Sequence, residues 1–402
     1  MTKAFFGLPE TVVFCKRCVI SNQRPSSTVE FKHKAEEKKA TIGFGDDGVC
    51  DACKYHDLKE KDISWEKRDA ELRALLDKHR RNDGGYDIVV PGSGGKDSAY
   101  TSHILKYKYG MNPLTVTWAP HKYTEIGWKN FENWIHVGGH DNILFTPNGK
   151  LHRHLTRLAF TNLLHPFQPF IVGQRIIGPA LARKFGVKLV MYGENQAEYG
   201  NNPDENYKPT MDYKFFSAGD PMDMVLGGVS VRDIIAEGEF TLNDFAPYIP
   251  PSAAQLEQSG VEVHYLGYYL KWDPQECYYY AAEHTGFKAN TERTEGSYSK
   301  YSSIDDRIDP FHYYTTLIKF GIGRATYDAA QEIRNDKITR EEGVALVKKY
   351  DQEFPAKYYT EFLDYIGLNE QEFAATVDRF RSPHLWEQSG NSWRLKHTVF
   401  GE

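Results

Sequence analysis

Ile88-Val89-Val90-Pro91-Gly92-Ser93-Gly94-Gly95-Lys96-Asp97-Ser98 is the stretch from which the fold is read. An apolar run enters a turn rich in glycine and serine, and a helix is expected to begin near Ala99. Strand, loop and helix in that order form a phosphate-binding layout. Glycines let the backbone approach an anion closely, and N–H groups at a helix start point at it. Ser93 and Ser98 add hydroxyl donors, Lys96 adds positive charge, and Asp97 offers a magnesium ligand. The spacing is not G-x-x-x-x-G-K-S/T, so this is not a Walker A loop. The plainer alternative is an ordinary Gly/Ser turn.

Elements on either side extend the pattern. Ser64 is placed to cap a helix from Trp65 to about Arg81, with Trp65, Leu72, Leu75 and Leu76 on one face. Asn82-Asp83-Gly84-Gly85 ends it. Strands are predicted over 86–90, 114–118, 142–146 and 187–192. Helices are predicted up to Tyr109, over 125–137 and 150–164, and up to Gly186. Such alternation implies an α/β fold with a parallel sheet covered on both faces. Ligands in these sheets sit beyond the carboxyl ends of the strands. That nominates the loops 91–98, 117–123 and 193–199. Glu194 and Glu198, in the third loop, are candidates to hold a second magnesium or to position a substrate; a solvated loop is the alternative. Residues 200–222 read as an ordered insertion or a lid, and 261–266 as a returning last strand.

A chain of 402 residues implies two or three domains. The expected division is a metal-binding segment over 1–62, a nucleotide domain over 63–270 with an insertion near 200–258, and a helical region over 271–402. Net charge is −6, without the basic excess of a general nucleic-acid binder, so no nucleic-acid partner is expected. No apolar run is long enough to span a bilayer. Met-Thr-Lys-Ala-Phe-Phe-Gly lacks a signal-peptide core, so a cytoplasmic location is expected.

Four of the five cysteines form two pairs, Cys15-Lys-Arg-Cys18 and Cys50-Asp-Ala-Cys53. Two such knuckles suit tetrahedral zinc, although the gap between them exceeds a zinc ribbon's usual spacing. An Fe–S cluster is the competing occupant. A closed four-cysteine site leaves no open coordination position, which assigns it a structural role. Cys277, on a helix begun by Asp273-Pro274, reads as a packed thiol. Thr339 to Glu342 and Asn369 to Glu372 each form a capping box in a region otherwise read as helical. His152, His154 and His165 have no metal-ligand spacing.

Ser93 to Ser98 resembles the SGGxDS signature of the PP-loop ATP pyrophosphatases, whose sheet is Rossmann-like. Those enzymes cleave ATP between its α and β phosphates and adenylate a substrate oxygen. The resemblance implies ATP and Mg2+ at Ser93, Gly94, Gly95, Lys96, Asp97 and Ser98. It also implies adenine beside Thr117 and Trp118, and further ATP contacts at Arg175, Gly193 and Glu194. Lys96, Asp97 and Ser98 would be catalytic.

Three further stretches resemble the N-acetyl sugar amidotransferases: Ser299 to Arg307, Lys319 to Thr326, and Ile333 to Glu342. The paired cysteines, the loop and Tyr192-Gly193-Glu194-Asn195 share that likeness. It implies conversion of an acetamido group to acetamidino in pathways such as lipopolysaccharide or pseudaminic-acid synthesis. No glutaminase is evident within the chain: residue 2 is Thr, and Cys277 lies in Glu-Cys-Tyr-Tyr rather than a Gly-rich elbow. Ammonia would be free or supplied by a separate glutaminase and cyclase pair. An anionic sugar substrate, nucleotide-linked or not, would meet Lys319 and Arg324, with Glu198 as a further contact. A tRNA-modifying PP-loop enzyme is the alternative, and a non-catalytic nucleotide sensor a third.

Overall fold

A computed structural model of the protein describes residues 4–390 and 392–401, with the backbone alone for Glu205 and Asn206. The reading of Thr2 lies outside the described residues.

The sheet expected from the alternation is present. Its strands are β1 (Ile88–Pro91), β2 (Pro113–Trp118), β3 (Asp141–Phe145), β4 (Leu189–Tyr192) and β5 (Glu262–Tyr265). They lie in the order β3-β2-β1-β4-β5, all parallel. Val89 pairs with Leu114 on one side and Val190 on the other. β1 and β2 are buried along their whole length, which is why their sequences are unbroken apolar or β-branched runs. Helices α1 (Asp51–Lys61) and α2 (Trp65–His79) precede the sheet, and those connecting its strands include α3 (Lys96–Tyr107), α4 (Glu125–His136), α5 (Gly149–Leu163) and α6 (Gln168–Lys184). Their starts follow local chemistry. Ser64 accepts from the Lys67 amide (3.3 Å), Thr124 from Gly127 (2.9 Å) and Asn148 from Lys150 (3.0 Å).

The strand order sets where a ligand can sit. The chain runs outward from β1 through β2 to β3, then returns to place β4 on the other side of β1. The carboxyl ends of β1 and β4 therefore flank the crevice at the switch point. One apolar cluster runs from the cysteine segment (Cys15, Ile20, Phe31) across one sheet face to Phe311, Phe362 and Phe373. A second lies on the other face, with Leu72, Leu76, Ile88, Val90, Leu105 and Trp272.

One expectation is narrowed and one corrected. Of the two readings of residues 200–222, the described segment is the ordered insertion. Pro209 and Met211 hydrogen-bond β5 at Tyr265 and Val263 (3.0 and 2.9 Å), and Thr210 bridges His264, so the segment covers an edge of the sheet. The C-terminal region is not all helical. After helices Asp309–Phe320, Arg324–Arg334, Arg340–Tyr350, Tyr359–Ile366 and Glu370–Arg379, it ends in a hairpin of Trp386–Ser389 with Ser392–Leu395. Four-residue strands carry too little alternation to stand out in sequence. Tertiary packing fixes this pair: Trp386 is buried and its indole donates to the Ile318 carbonyl (2.7 Å).

Candidate functional site

A cavity of about 540 Å³ opens at the carboxyl ends of β1 and β4. Ser93, Gly94, Gly95, Lys96 and Asp97 form one side of it. Gly95 caps α3 with extended backbone and no side-chain bond, leaving the first-turn N–H groups open to an anion. Gly94 has φ +81°, and a Cβ there would sit 2.8 Å from the Phe131 Cα, so the turn requires glycine. Lys96 is buried, and its Nζ lies 2.6 and 2.8 Å from the Asp97 carboxylate. Burial opposes the Lys96 charge, but Asp97 and Glu194 outweigh it and hold its pKa above the ordinary lysine value. Ser98 does not line the cavity; its hydroxyl donates to the Gly95 carbonyl (3.1 Å) and closes the turn.

From β4, Glu194, Gln196 and Tyr199 reach the same cavity. Burial, and then the neighbouring Asp97 charge, push the Glu194 carboxyl up to about 7. The Tyr199 hydroxyl donates to Glu194. Gly193 sits behind this wall, its carbonyl accepting from the Gly267 amide (2.8 Å). Asp97 and Glu194 thus bring two carboxylates to the phosphate-loop side, the oxygen donors that Mg2+ takes.

The opposite wall comes from the C-terminal region: Tyr301 to Asp305, Asp309, His312, Tyr313, Arg324, Tyr327 and Asp328 among others. It is joined to the loop after β2. The Thr124 amide donates to Asp305 O (3.0 Å), the Arg307 amide to Lys122 O (2.9 Å), and His121 Nδ1 lies 2.8 Å from the buried Asp306 carboxylate. Ser303 holds φ +55°, an uncommon backbone state for serine, at the cavity surface. Burial pushes the Asp309 carboxyl up to about 7, and its Oδ2 has no hydrogen-bond partner among the described residues. Arg324 lies over the Tyr313 ring (4.1 Å) and pairs with Asp328 (3.2 Å).

The cavity therefore gathers Ser93, Gly94, Gly95, Lys96, Asp97, Glu194 and Arg324 from the sequence candidates. Ser98 and Gly193 stand beside it without lining it, and the remaining five lie elsewhere. Thr117 and Trp118 are buried in the sheet: Thr117 accepts from Asn142 (3.0 Å), and Trp118 packs on Phe145 and Tyr248. Arg175 donates to the Thr28 carbonyl (3.0 Å), tying α6 to the cysteine segment. Glu198 is buried and accepts from Lys59 of α1 through both oxygens, each at 3.1 Å. Lys319 donates to the Leu163 carbonyl (2.7 Å), and burial lowers its pKa to about 7.

The four cysteines converge as expected. All are buried, and their sulfurs lie within 4.8 Å of one another. The Cys15–Cys53 and Cys18–Cys50 separations are 3.9 and 3.8 Å. Four sulfurs around one tetrahedral zinc, each bond near 2.3 Å, stand about 3.8 Å apart. The set therefore fits a single ion. A cubane Fe–S cluster, with sulfurs outside its corners, would hold them farther apart. Backbone amides of Arg17, Cys18 and Cys50 point at Cys15 Sγ (3.4–3.5 Å). A second group, Glu30, His33 and His165, also lies within ligand distance. Lys39 Nζ occupies His33 Nε2 at 2.5 Å, so this group is satisfied as a buried hydrogen-bonded cluster. His165 is distant in sequence from Glu30 and His33, which hid the group from spacing rules.

Sequence reasoning missed Arg24, Tyr199, Asp305, Asp309, His312 and Asp328 in the cavity. The run Asp305-Asp306-Arg307-Ile308-Asp309 gave no discriminating signal, because carboxylates are ordinary at a helix start. Arg24 gave no local signal.

Residues 295–399 match the model of the C-terminal domain of WbpG-like lipopolysaccharide biosynthesis proteins. That stretch builds the wall opposite the phosphate loop. No curated protein matches the sequence. Two solved structures are among those that align with the chain. NMN synthetase from Francisella tularensis is 15% identical, with a TM-score of 0.27, over 71% of this chain and 97% of that one. The U34-tRNA thiolase NcsA from Methanococcus maripaludis, with its 4Fe-4S cluster, is 13% identical, with a TM-score of 0.31, over 84% of this chain and 89% of that one. Likenesses of that size carry no argument about fold or chemistry.

Proposed function

We propose that this protein is an ATP-dependent, AMP-forming amidotransferase. It would convert an acetamido group of a bacterial surface-polysaccharide sugar to acetamidino. The observation that carries the reading is a single cavity with two different walls. One is a glycine-rich phosphate loop at a switch point; the other is built by the stretch matching a lipopolysaccharide-biosynthesis domain.

The chemistry explains the pairing. An amide carbon is a poor electrophile and its oxygen a poor leaving group. ATP supplies the adenylyl group that activates the oxygen: the amide oxygen attacks the α-phosphate and pyrophosphate leaves. Ammonia then adds to the carbon, and AMP departs with the former amide oxygen. The open amides at Gly95 to Asp97 and the Lys96 ammonium are suited to the pyrophosphate's growing charge. Asp97 and Glu194 would hold Mg2+ beside it. The attacking amide oxygen carries no proton, so the first step needs no base. The ammonia step releases a proton, and Asp309, pushed up to about 7, is a cavity group able to take it near neutral pH. The cysteine site would hold zinc structurally, fastening the N-terminal segment. A separate glutaminase and cyclase pair would supply the ammonia.

The test is mass spectrometry of mixtures of enzyme, ATP, Mg2+, ammonium and a panel of acetamido sugars, with and without nucleotide handles. Replacement of one sugar oxygen by NH, with AMP and pyrophosphate in equal amounts, is expected. ATP cleavage stimulated by bulk tRNA and by no sugar would overturn the reading in favour of tRNA modification.

A further inference from the structure

The cysteine segment does more than cap the sheet: it sends one residue into the cavity. Arg24 lies between the two cysteine pairs in sequence and lines the cavity with the phosphate loop. The segment is held firmly there. Ile42 N donates to Arg24 O (2.9 Å), Ser27 N donates to Asn201 Oδ1 (2.9 Å), and Ser27 Oγ donates to Gln196 (3.2 Å). Gly200, at φ +71°, lets Ile42 and the start of α1 approach; a Cβ there would sit 2.5 Å from Ile42 Cδ1 and 3.0 Å from the Ala52 nitrogen. The contact that delivers Arg24 is therefore tight.

Arg24 is 8% exposed. Among the described residues no carboxylate lies within ion-pair distance of it. Nη1 donates to the Pro25 carbonyl (3.3 Å) and to Asn201 (3.4 Å); Nε and Nη2 donate to no described residue. The guanidinium stands 5.8 Å from the centre of the Tyr199 ring, and its charge is felt at Tyr327. Both tyrosines line the cavity. Arg324 differs: it faces the same cavity, but Asp328 already answers its charge. A buried cation is normally paired, because desolvation is costly without a partner. A guanidinium with a free edge facing a cavity is a fork for a carboxylate or phosphate.

We infer that Arg24 is a binding residue of this cavity, its free guanidinium edge receiving an anionic group of the bound substrate, either a phosphate of the nucleotide or the acid or phosphate group of the sugar. The inference rests on reading the cavity as a substrate site, and it is tested by binding rather than turnover, so it can fail or survive independently of the amidation chemistry.

The experiment is titration calorimetry on the metal-loaded full chain and its Arg24→Gln and Arg24→Lys variants. The probes are α,β-methylene ATP, UDP-N-acetylglucosamine, N-acetylneuraminic acid and, as a neutral control, N-acetylglucosamine. At least one anionic probe is expected to bind tenfold or more weaker to Arg24→Gln, with part of the loss restored in Arg24→Lys. Loss confined to the ATP analogue assigns the anion to the nucleotide; loss confined to a sugar assigns it to the acceptor. Unchanged affinity for every anionic probe, including the case in which only the ATP analogue binds, overturns the inference. Phenylglyoxal labelling of the unmutated chain, read at the Arg24 peptide by mass spectrometry, covers the case of a variant that does not fold. Protection of Arg24 by an anionic probe supports the assignment, and equal labelling with and without every anionic probe refutes it.

Discussion

Replacing Lys59 by methionine isolates the bond that fastens the metal-binding segment to the loop after β4. Lys59 is fully buried, and its Nζ contacts both Glu198 oxygens at 3.1 Å and the Trp272 carbonyl at 2.9 Å. Methionine matches the stem and removes the charge. Glu198, 5% exposed, then loses its direct ion-pair partner and keeps only the more distant charge of Arg334. Breaking a buried pair from one side costs about 3–5 kcal/mol, a large part of the roughly 5–15 kcal/mol that holds a typical domain folded. Replacing both partners, Lys59→Met with Glu198→Leu, removes the stranded charge, so most of that loss should return. Urea unfolding followed by tryptophan fluorescence, with Trp272 beside the pair, measures Lys59→Met, Glu198→Leu and the double variant. The deficit should depend on pH in a definite direction. Burial already raises the Glu198 pKa, and removing Lys59 raises it further above its unfolded value. The single variant should therefore lose most stability above that folded pKa and recover as pH falls towards the unfolded carboxylate range. A Lys59→Met loss below about 1 kcal/mol, or a double variant whose loss equals the sum of the singles, would refute the reasoning.

Asp97→Asn should keep the fold and lower ATP cleavage by about a hundredfold or more, in line with losing one charged group at a reacting phosphate; AMP release measures it. Glu194→Gln tests the carboxyl pushed up to about 7. A raised folded pKa favours the protonated form, so the unmutated, ligand-free protein should lose stability as pH rises from about 4.5 through 7, while the glutamine variant lacks that slope in urea unfolding at each pH. Metal analysis should find one zinc per chain; a visible Fe–S absorption with bound iron would sink the single-ion geometry. Removing that metal with a chelator should expose the segment around Cys15 to Cys53 to limited proteolysis before the sheet is cut. Gly200→Ala should cost about 1–3 kcal/mol in urea unfolding, from left-handed backbone strain and the clash with Ile42.

Much of the fold was legible because it is made of local rules. The unbroken apolar strands, the helix caps at Ser64, Thr339 and Asn369, and the glycine-rich turn after β1 act over a few residues, and the structure places each where the sequence indicated. The four cysteines could be grouped because their pairs announce a shared ligand. The glycine-rich side of the cavity was legible for the same reason: one turn carries it. The other side was not. Lys319 and Arg324 are close neighbours in sequence, yet one donates to a buried carbonyl on α5 and the other faces the cavity, because the helix between them ends at Gly321. Glu198 looked like a loop carboxylate until a lysine from α1 met it. Arg24 had no motif at all. Which charges are paired, and which are left facing a cavity, depends on partners distant in sequence, and only tertiary packing decides it.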